Sequence, residues 1–335
     1  MVWLKFTGCV AIVLFSGSRL ARYGDIIAEK TGLGRIWIGL VLIAIITSIP
    51  ELVTSVSAVT LVKLPDLAIG NVLGSCTFNL TLFALADIIH RGGPTLSKLS
   101  PGHSLSAVFG MLLAAIVFGG ILSKEKSPGL SLGWVSIPSL AILILYLASV
   151  WRISHVEHQQ ETTSLAPEYP ELTSRTVYLR FSLASVVIVA AAVWLSVIGN
   201  EISVTYGLHT SFVGSLFVAI TTSLPELAVT VTAVRLGALD MAAANILGSN
   251  LFDLAIISFT DFAYREAPLF SVVSRVHLTT LLAFAVMNLI LIAGLRSRPE
   301  RKIFRIISWH SIVLVALYIM GMVGVYHGLF ASPSG

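Results

Sequence analysis

Residues 39–59 read GLVLIAIITSIPELVTSVSAV and residues 214–234 read GSLFVAITTSLPELAVTVTAV; at a shift of 175 the two strings agree at 11 of 21 positions. Further on, DLAIGNVLGSCTFNLTLFALAD (66–87) aligns with DMAAANILGSNLFDLAIISFTD (240–261) at a shift of 174, with 9 identities in 22. One extra residue just before Asp66 explains the change of shift, and Gly32-Leu33 against Gly207-Leu208 extends the likeness upstream. The chain is therefore an internal duplication, and each copy is a structural unit stacked against the other.

Both copies are apolar, as is most of what surrounds them. Of 335 residues 56% are hydrophobic and only 11% charged, with a mean hydropathy of +0.91, against about a quarter charged in soluble domains. A bilayer-spanning helix needs about 20 apolar residues. Ten such runs fit, at 2–20, 35–62, 66–89, 104–123, 131–151, 177–199, 210–235, 240–263, 274–295 and 307–328. The expected fold is an all-α integral membrane protein of about ten transmembrane helices in two inverted five-helix repeats. The long polar stretch 153–176, with Glu157, Glu161, Pro167, Glu168, Pro170 and Glu171, reads as a cytoplasmic linker between a first half (1–152) and a second half (177–335). Five spans per half is an odd number, so the second half enters the membrane in the opposite sense to the first.

With the N-terminus outside, 15 Lys and Arg residues fall on the cytoplasmic side and 6 (Lys5, Lys63, Lys124, Lys126, Arg265, Arg275) outside, which satisfies the positive-inside rule. Both termini are then non-cytoplasmic. A net charge of +4 thus reads as a topology signal and not as a nucleic-acid footprint, because the basic residues lie between apolar runs. Cys9 and Cys76 fall inside apolar segments, with no disulfide or zinc spacing. The first run has no small-residue cleavage site before Arg19 and Arg22, and reads as a first span.

The repeated strings place polar groups where lipid tolerates few. TSIPE (47–51) and TSLPE (222–226) each set two hydroxyls, a proline and a carboxylate inside an apolar helix. Proline lacks an N–H and collides with the carbonyl four residues back, so the carbonyls of Ile46 and Thr221 lose their helix partners. Thr47 and Glu51, and Thr222 and Glu226, stand four apart, with Ser48 and Ser223 three before the glutamates, a spacing that clusters oxygens on one helix face. GSCTFN (74–79) and GSNLFD (248–253) supply a facing set, Ser75 with Asn79 and Ser249 with Asp253. Gly74 and Gly248 allow the helices to approach closely. An ionised group at mid-bilayer costs about 2.5–3.5 kcal/mol, and no Lys or Arg falls within these strings. Glu51, Glu226 and Asp253 thus require a cation, a proton or hydrogen bonds. Oxygen ligands alone favour Ca²⁺ or Na⁺ over thiolate- or imidazole-binding metals. Two glutamates match one Ca²⁺ or two Na⁺.

At these strings the chain resembles the cation/calcium exchanger superfamily, specifically prokaryotic sodium/calcium exchangers with two inverted alpha-repeats, and the likeness covers essentially the whole chain. The resemblance implies that Glu51 and Glu226 are the central Ca²⁺ and Na⁺ ligands, helped by Thr47, Ser48, Thr222 and Ser223. It implies that Ser75, Asn79, Ser249 and Asp253 are flanking polar ligands, and that the backbone carbonyls of Ala44 and Ala219 bind Na⁺. It further implies exchange of Ca²⁺ for Na⁺ by alternating access, with no resident cofactor and with lipid as the surrounding partner. A Ca²⁺/H⁺ antiporter is the alternative, since a buried carboxylate is as readily recharged by a proton. A channel fits poorly with inverted repeats broken at the midplane, and no nucleophile–base pair suggests an enzyme. Asp66 and Asp240 read as helix N-caps, and Asp87 and Asp261 as interfacial anchors. Asn71 and Asn245 either line the pathway or bridge two helices.

Overall fold

The computed structural model describes residues 2–32, 35–123, 131–158, 173–205, 216, 218–303 and 306–330. Among these, ten long helical elements follow in order: α1 (Val2–Thr31), α2 (Arg35–Thr60), α3 (Pro65–Ile89), α4 (His103–Leu122), α5 (Ile137–His158), α6 (Ser174–Thr205), α7 in two pieces (Ala219–Thr222 and Leu224–Arg235), α8 (Leu239–Ala263), α9 (His277–Ser297) and α10 (Trp309–Tyr326). Eight of the ten are long and apolar enough to cross a membrane; α5 offers a shorter apolar stretch and α7 is broken. The protein is a multi-pass membrane protein built as two inverted repeats, α1–α5 and α6–α10.

Several edges differ from the hydropathy reading. Helix α1 runs on to Thr31 rather than stopping near residue 20, because charged residues end an apolar run without ending a helix. The overhang is tied back by Asp25, 2% exposed, which accepts hydrogen bonds from Arg35 Nε at 2.5 Å and Nη2 at 3.3 Å. The expected span 131–151 begins instead with a two-stranded antiparallel hairpin, Ser131–Leu132 with Val135–Ser136, turning at Gly133 (φ +66°). Helix occupies both margins of the stretch read as linker, up to His158 and from Ser174, and residues 159–172 lie outside the described residues, as do 206–215 at the start of the expected seventh span.

Helices α3 and α8 form the centre. The apolar window of α8 is 94% buried and that of α3 72%, whereas those of α1 and α6 are each 33% buried. Helices α4, α5, α9 and α10 pack around the central pair in one large apolar core. Helices α1 and α6 pack mainly on each other and share a second core with parts of α2 and α7. Outward-facing side chains such as Ile144, Leu179, Val186 and Met320 are exposed and apolar, as a lipid-facing surface requires.

Close approach of α2 to α8 is set by glycines. A Cβ on Gly248 would lie 2.4 Å from the Leu40 carbonyl oxygen and 2.9 Å from Ala44 Cβ; one on Gly39 would lie 2.7 Å from the Met241 carbonyl oxygen. This contact presses the first half of α2, which contains a π-helical stretch at Ile38–Ile43, against the part of α8 that carries Ser249 and Asp253.

Candidate functional site between two broken helices

Each TS(I/L)PE string breaks its helix at the serine. Ser48 (φ −92°, ψ 6°) and Ser223 (φ −85°, ψ 9°) leave the helical region, and new helices start at Ile49 and Leu224 with Pro50 and Pro225 in their first turns. Proline is harmless there, since a first-turn N–H has no helix partner anyway.

The twelve residues singled out above, Ala44, Thr47, Ser48, Glu51, Ser75, Asn79, Ala219, Thr222, Ser223, Glu226, Ser249 and Asp253, are all buried, each with 0% exposure. Their contacts cross between repeats. Ser48 Oγ donates to Glu226 Oε1 at 3.0 Å, and Ser223 Oγ donates to Glu51 Oε1 at 3.0 Å. Each glutamate also meets a serine of its own repeat, Ser75 Oγ to Glu51 Oε1 at 3.4 Å and Ser249 Oγ to Glu226 Oε1 at 3.3 Å. Thr47 Oγ1 lies 3.4 Å from Ser249 Oγ, and Thr222 Oγ1 3.4 Å from Ser75 Oγ. The hydroxyls of Thr47 and Ser48 thus meet groups of the opposite repeat. The serine two residues before each proline serves the glutamate of the other repeat.

Asn79 and Asp253 are equivalent positions, and they face one another: Asn79 Nδ2 donates to Asp253 Oδ2 at 3.4 Å. The site is symmetric in shape but carries one carboxylate where strict symmetry would give two or none. Glu51 Oε2, Glu226 Oε2, Asp253 Oδ1 and Asn79 Oδ1 are buried without a hydrogen-bond partner. Among the described residues no ion pair involves these acids, and no group of three or more His, Cys, Asp or Glu is arranged to hold a metal. The oxygen set is therefore two glutamates, hydroxyls and carbonyls, the donor chemistry of hard cations. Buried acceptors without donors are costly, and a cation placed among them removes that cost.

The asparagines one helical turn before Ser75 and Ser249 were left open by the sequence, and they prove to bridge helices. Asn71 Nδ2 donates to Ser55 Oγ at 2.9 Å and to the Glu51 carbonyl at 3.3 Å, and Asn71 Oδ1 accepts from Thr222 Oγ1 at 3.1 Å. Asn245 Oδ1 accepts from Thr47 Oγ1 at 3.4 Å.

The remaining acids do not join the site. Asp66 and Asp240 are not N-caps: those positions are Leu64 and Ala238, without side-chain caps. Asp66 instead accepts from Ser274 N–H at 2.7 Å and lies 3.1 Å from His277 Nε2, while Asp240 accepts from Ser100 N–H at 2.8 Å and lies 2.9 Å from His103 Nε2. Each ties its helix to a loop of the opposite repeat. Asp87 and Asp261 are buried, so they are more than interfacial anchors. Asp87 accepts from Thr95 N–H (2.8 Å) and Ser308 N–H (2.6 Å), and Asp261 from Leu269 N–H and Ser136 N–H (both 2.7 Å). Lys302 lies 3.6 Å from Asp87 and also donates to the Asp87 and His90 carbonyls. His90, just beyond α3, is held below the usual imidazole range by burial and by Lys302 and Lys98.

The surroundings break the symmetry. On the α6 side of the second half of α2 lies a cavity of about 180 Å³, lined by Val53, Thr54, Ser57, Val193, Val197 and Val218 among others. At the equivalent place on the other side α1 lies directly against α7, so that a Cβ on Gly17 would meet Ala228 Cβ at 2.5 Å.

The model of the family described as sodium/calcium exchanger protein matches residues 1–153 and 176–326. The chain belongs to that family. Its members are transporters and not enzymes. Among relatives of this exchanger-family chain, the sodium/calcium exchanger MaX1 of Methanosarcina acetivorans is 26% identical over 94% of this chain and 96% of its own length. The membrane protein MJ0091 of Methanocaldococcus jannaschii is 26% identical over 95% and 96%, and the inner membrane protein YrbG of Escherichia coli is 27% identical over 73% and 74%. The structure of the sodium-calcium exchanger NCX_Mj soaked with 100 mM Na⁺ and 10 mM Sr²⁺ superposes with a TM-score of 0.71, at 21% identity, over 96% of this chain and 99% of that one. The whole ten-helix fold is shared.

Proposed function

We propose that this protein is a secondary antiporter that exchanges Ca²⁺ for Na⁺ by alternating access at the site between Glu51 and Glu226. The observation that carries the reading is the reciprocal pair Ser48 to Glu226 and Ser223 to Glu51. These bonds fuse the two broken helices into one oxygen cage, whose two glutamates balance one Ca²⁺ or two Na⁺. Thr47, Thr222, Ser75 and Ser249 supply hydroxyl ligands, Ala44 and Ala219 supply carbonyls for Na⁺, and Asn79 with Asp253 flanks the cage. An empty cage of uncompensated carboxylates is costly to carry through the low-dielectric midplane, so only loaded states reorient, and exchange replaces leak.

In this reading the protein sits in the cell membrane with both termini outside, residues 153–176 join the halves in the cytoplasm, and α2 runs outward from its cytoplasmic start. The cavity beside Val53 and Val197 then opens to the outside, while the Gly17–Ala228 contact closes the cytoplasmic route. That combination corresponds to an outward-facing state.

Uptake of radiolabelled Ca²⁺ into proteoliposomes loaded with Na⁺ tests the function. An outward Na⁺ gradient is expected to drive uptake. Uptake driven only by a proton gradient would instead make the protein a Ca²⁺/H⁺ antiporter, and uptake indifferent to any gradient would overturn the antiport reading.

A further inference from the structure

Helix α1 is one unbroken element of 30 residues, and its half on the side read above as cytoplasmic is held against the rest of the molecule. At Gly17 it lies on α7, where an added Cβ would stand 2.5 Å from Ala228 Cβ. About 12 Å further along its axis, Asp25 accepts a forked pair of hydrogen bonds from Arg35, Nε to Oδ1 at 2.5 Å and Nη2 to Oδ2 at 3.3 Å. Gly24 allows the close approach there, since its Cβ would stand 2.6 Å from Ile43 Cδ1. The Asp25 carboxyl is 2% exposed, whereas the Arg35 side chain is 40% exposed and keeps one side in solvent.

Arg35 belongs to the other body. It opens α2, whose first half is pressed on α8 at Gly39 and Gly248, and its guanidinium is also within electrostatic reach of Asp240 at the start of α8. Asp240 in turn accepts from Ser100 N–H at 2.8 Å and lies 2.9 Å from His103 Nε2. The arginine therefore stands between a carboxylate of α1, which packs with α6, and a carboxylate of the central helix. An unbroken helix moves as a rod, so α1 cannot lift from Ala228 without moving Asp25 against Arg35. A displacement of little more than about 1 Å takes both bonds out of hydrogen-bonding range.

The second repeat has no such pair of charges. At a shift of 175, Asp25 corresponds to Asn200 and Arg35 to Thr210. Inversion puts equivalent ends of the two repeats on opposite sides of the membrane, so the Asp25–Arg35 pair acts on one side only.

We infer that Asp25 and Arg35 form a latch between α1 and the α2–α8 body, which holds the cytoplasmic route shut and biases the protein towards the state open beside Val53 and Val197. The latch touches no transported ion. Its bonds are charge-assisted and forked, and losing them shifts the ratio of the two states by about tenfold. The inference rests on the outward-facing reading above and adds the residues that favour that state.

Amide hydrogen exchange of the whole protein in lipid nanodiscs tests this, comparing the wild type with Asp25→Asn, Arg35→Gln, Arg35→Lys and the Asp25→Asn/Arg35→Gln double variant. Asparagine and glutamine remove the charge and keep the size, and Arg35 stays hydrated on its exposed side when its partner is neutral. Each neutral variant is expected to exchange up to about tenfold faster over 228–235 in α7, which the Gly17 contact covers, and more slowly over 53–58 in α2, beside the outer cavity. The double variant should match the single ones, because both changes break one pair. Arg35→Lys, which keeps the charge but not the fork, should fall between them and the wild type. Faster exchange confined to 20–40, with 53–58 and 228–235 unmoved, would make the pair a local structural contact and overturn the latch, as would additive effects in the double variant. Na⁺-driven Ca²⁺ uptake by the same proteins separates the two readings. A wild type without it overturns the antiport reading and leaves the exchange comparison standing, whereas a transporting wild type whose variants exchange as it does overturns the latch alone. Should Asp25→Asn fail to fold, Arg35→Gln, at the more exposed partner, carries the same comparison.

Discussion

Adding one methyl group at Gly248 is expected to damage both stability and transport. The new Cβ would stand 2.4 Å from the Leu40 carbonyl oxygen and 2.8 Å from Leu40 Cα. Both are backbone atoms, so no side chain can rotate out of the way. An ordinary carbon–oxygen contact is about 3.3 Å, so α2 and α8 must separate by roughly 1 Å, and overpacking of this kind costs about 1–3 kcal/mol. The same displacement carries Ser249 away from Thr47, a contact already 3.4 Å long, and takes it out of hydrogen-bonding range. Gly119, in the last turn of α4 and with nothing within 4 Å of its Cβ position, provides the control. There alanine should stabilise by about 0.5–1 kcal/mol through helix propensity. The assay is thermal unfolding of the purified protein in detergent, followed by Ca²⁺ uptake after reconstitution. Gly248→Ala should unfold at lower temperature and lose most uptake, while Gly119→Ala should equal or exceed the wild type in stability and transport normally. A Gly248→Ala protein as stable and active as the wild type would refute the idea that the α2–α8 contact holds the cage together.

Three further outcomes are expected. Glu51→Gln and Glu226→Gln should each abolish coupled Ca²⁺ uptake while leaving the unfolding temperature at or above that of the wild type, since both replace a buried charge by a neutral group of the same shape; near-normal exchange in either would remove that glutamate from the site. Lys63 holds φ +61° where the equivalent residue of the second repeat is Gly237 at +75°, and its ion pair with Glu266 is half exposed on both sides; Lys63→Gly should therefore stabilise by up to about 1 kcal/mol, because release of left-handed strain exceeds loss of a surface pair, and lower stability in thermal unfolding would contradict this. Asp87→Ala strands the Thr95 and Ser308 N–H groups together with Ser311 and Lys302 and should cost about 2–3 kcal/mol, seen as a lower unfolding temperature and faster amide exchange in the segments around Thr95 and Ser308.

Much of this was legible in one dimension because the signals are local. The bilayer demands apolar runs of a set length, so spans can be counted, and duplication at shifts of 174 and 175 with an odd span number requires inversion. Proline in the middle of an apolar helix next to a carboxylate marks a break that exposes ligands. Those marks singled out ten of the buried residues that the fold brings together, Ala44 and Ala219 coming from the resemblance alone, but hydropathy misplaced the end of α1, where Asp25 and Arg35 pair across the overhang. It also missed the 131–136 hairpin, since an apolar run has no period that separates strand from helix over six residues.

What one dimension could not supply was the partner of each group. Spacing by three and four set Thr47, Ser48 and Glu51 on one face of a continuous helix. The helix turns at Ser48, and Ser48 serves Glu226, 178 residues away. Asp66 and Asp240 sit where a cap is expected, yet both reach across to loops of the other repeat. Membrane class, repeat, inversion and ligand chemistry follow from short-range pattern and from the cost of polar groups in lipid, which every residue bears wherever it lies. The reciprocal serine–glutamate bonds, the different partners of Asn71 and Asn245 and the cavity beside Val53 follow from which surfaces meet, and pairing across some 175 residues is settled only when the two halves pack.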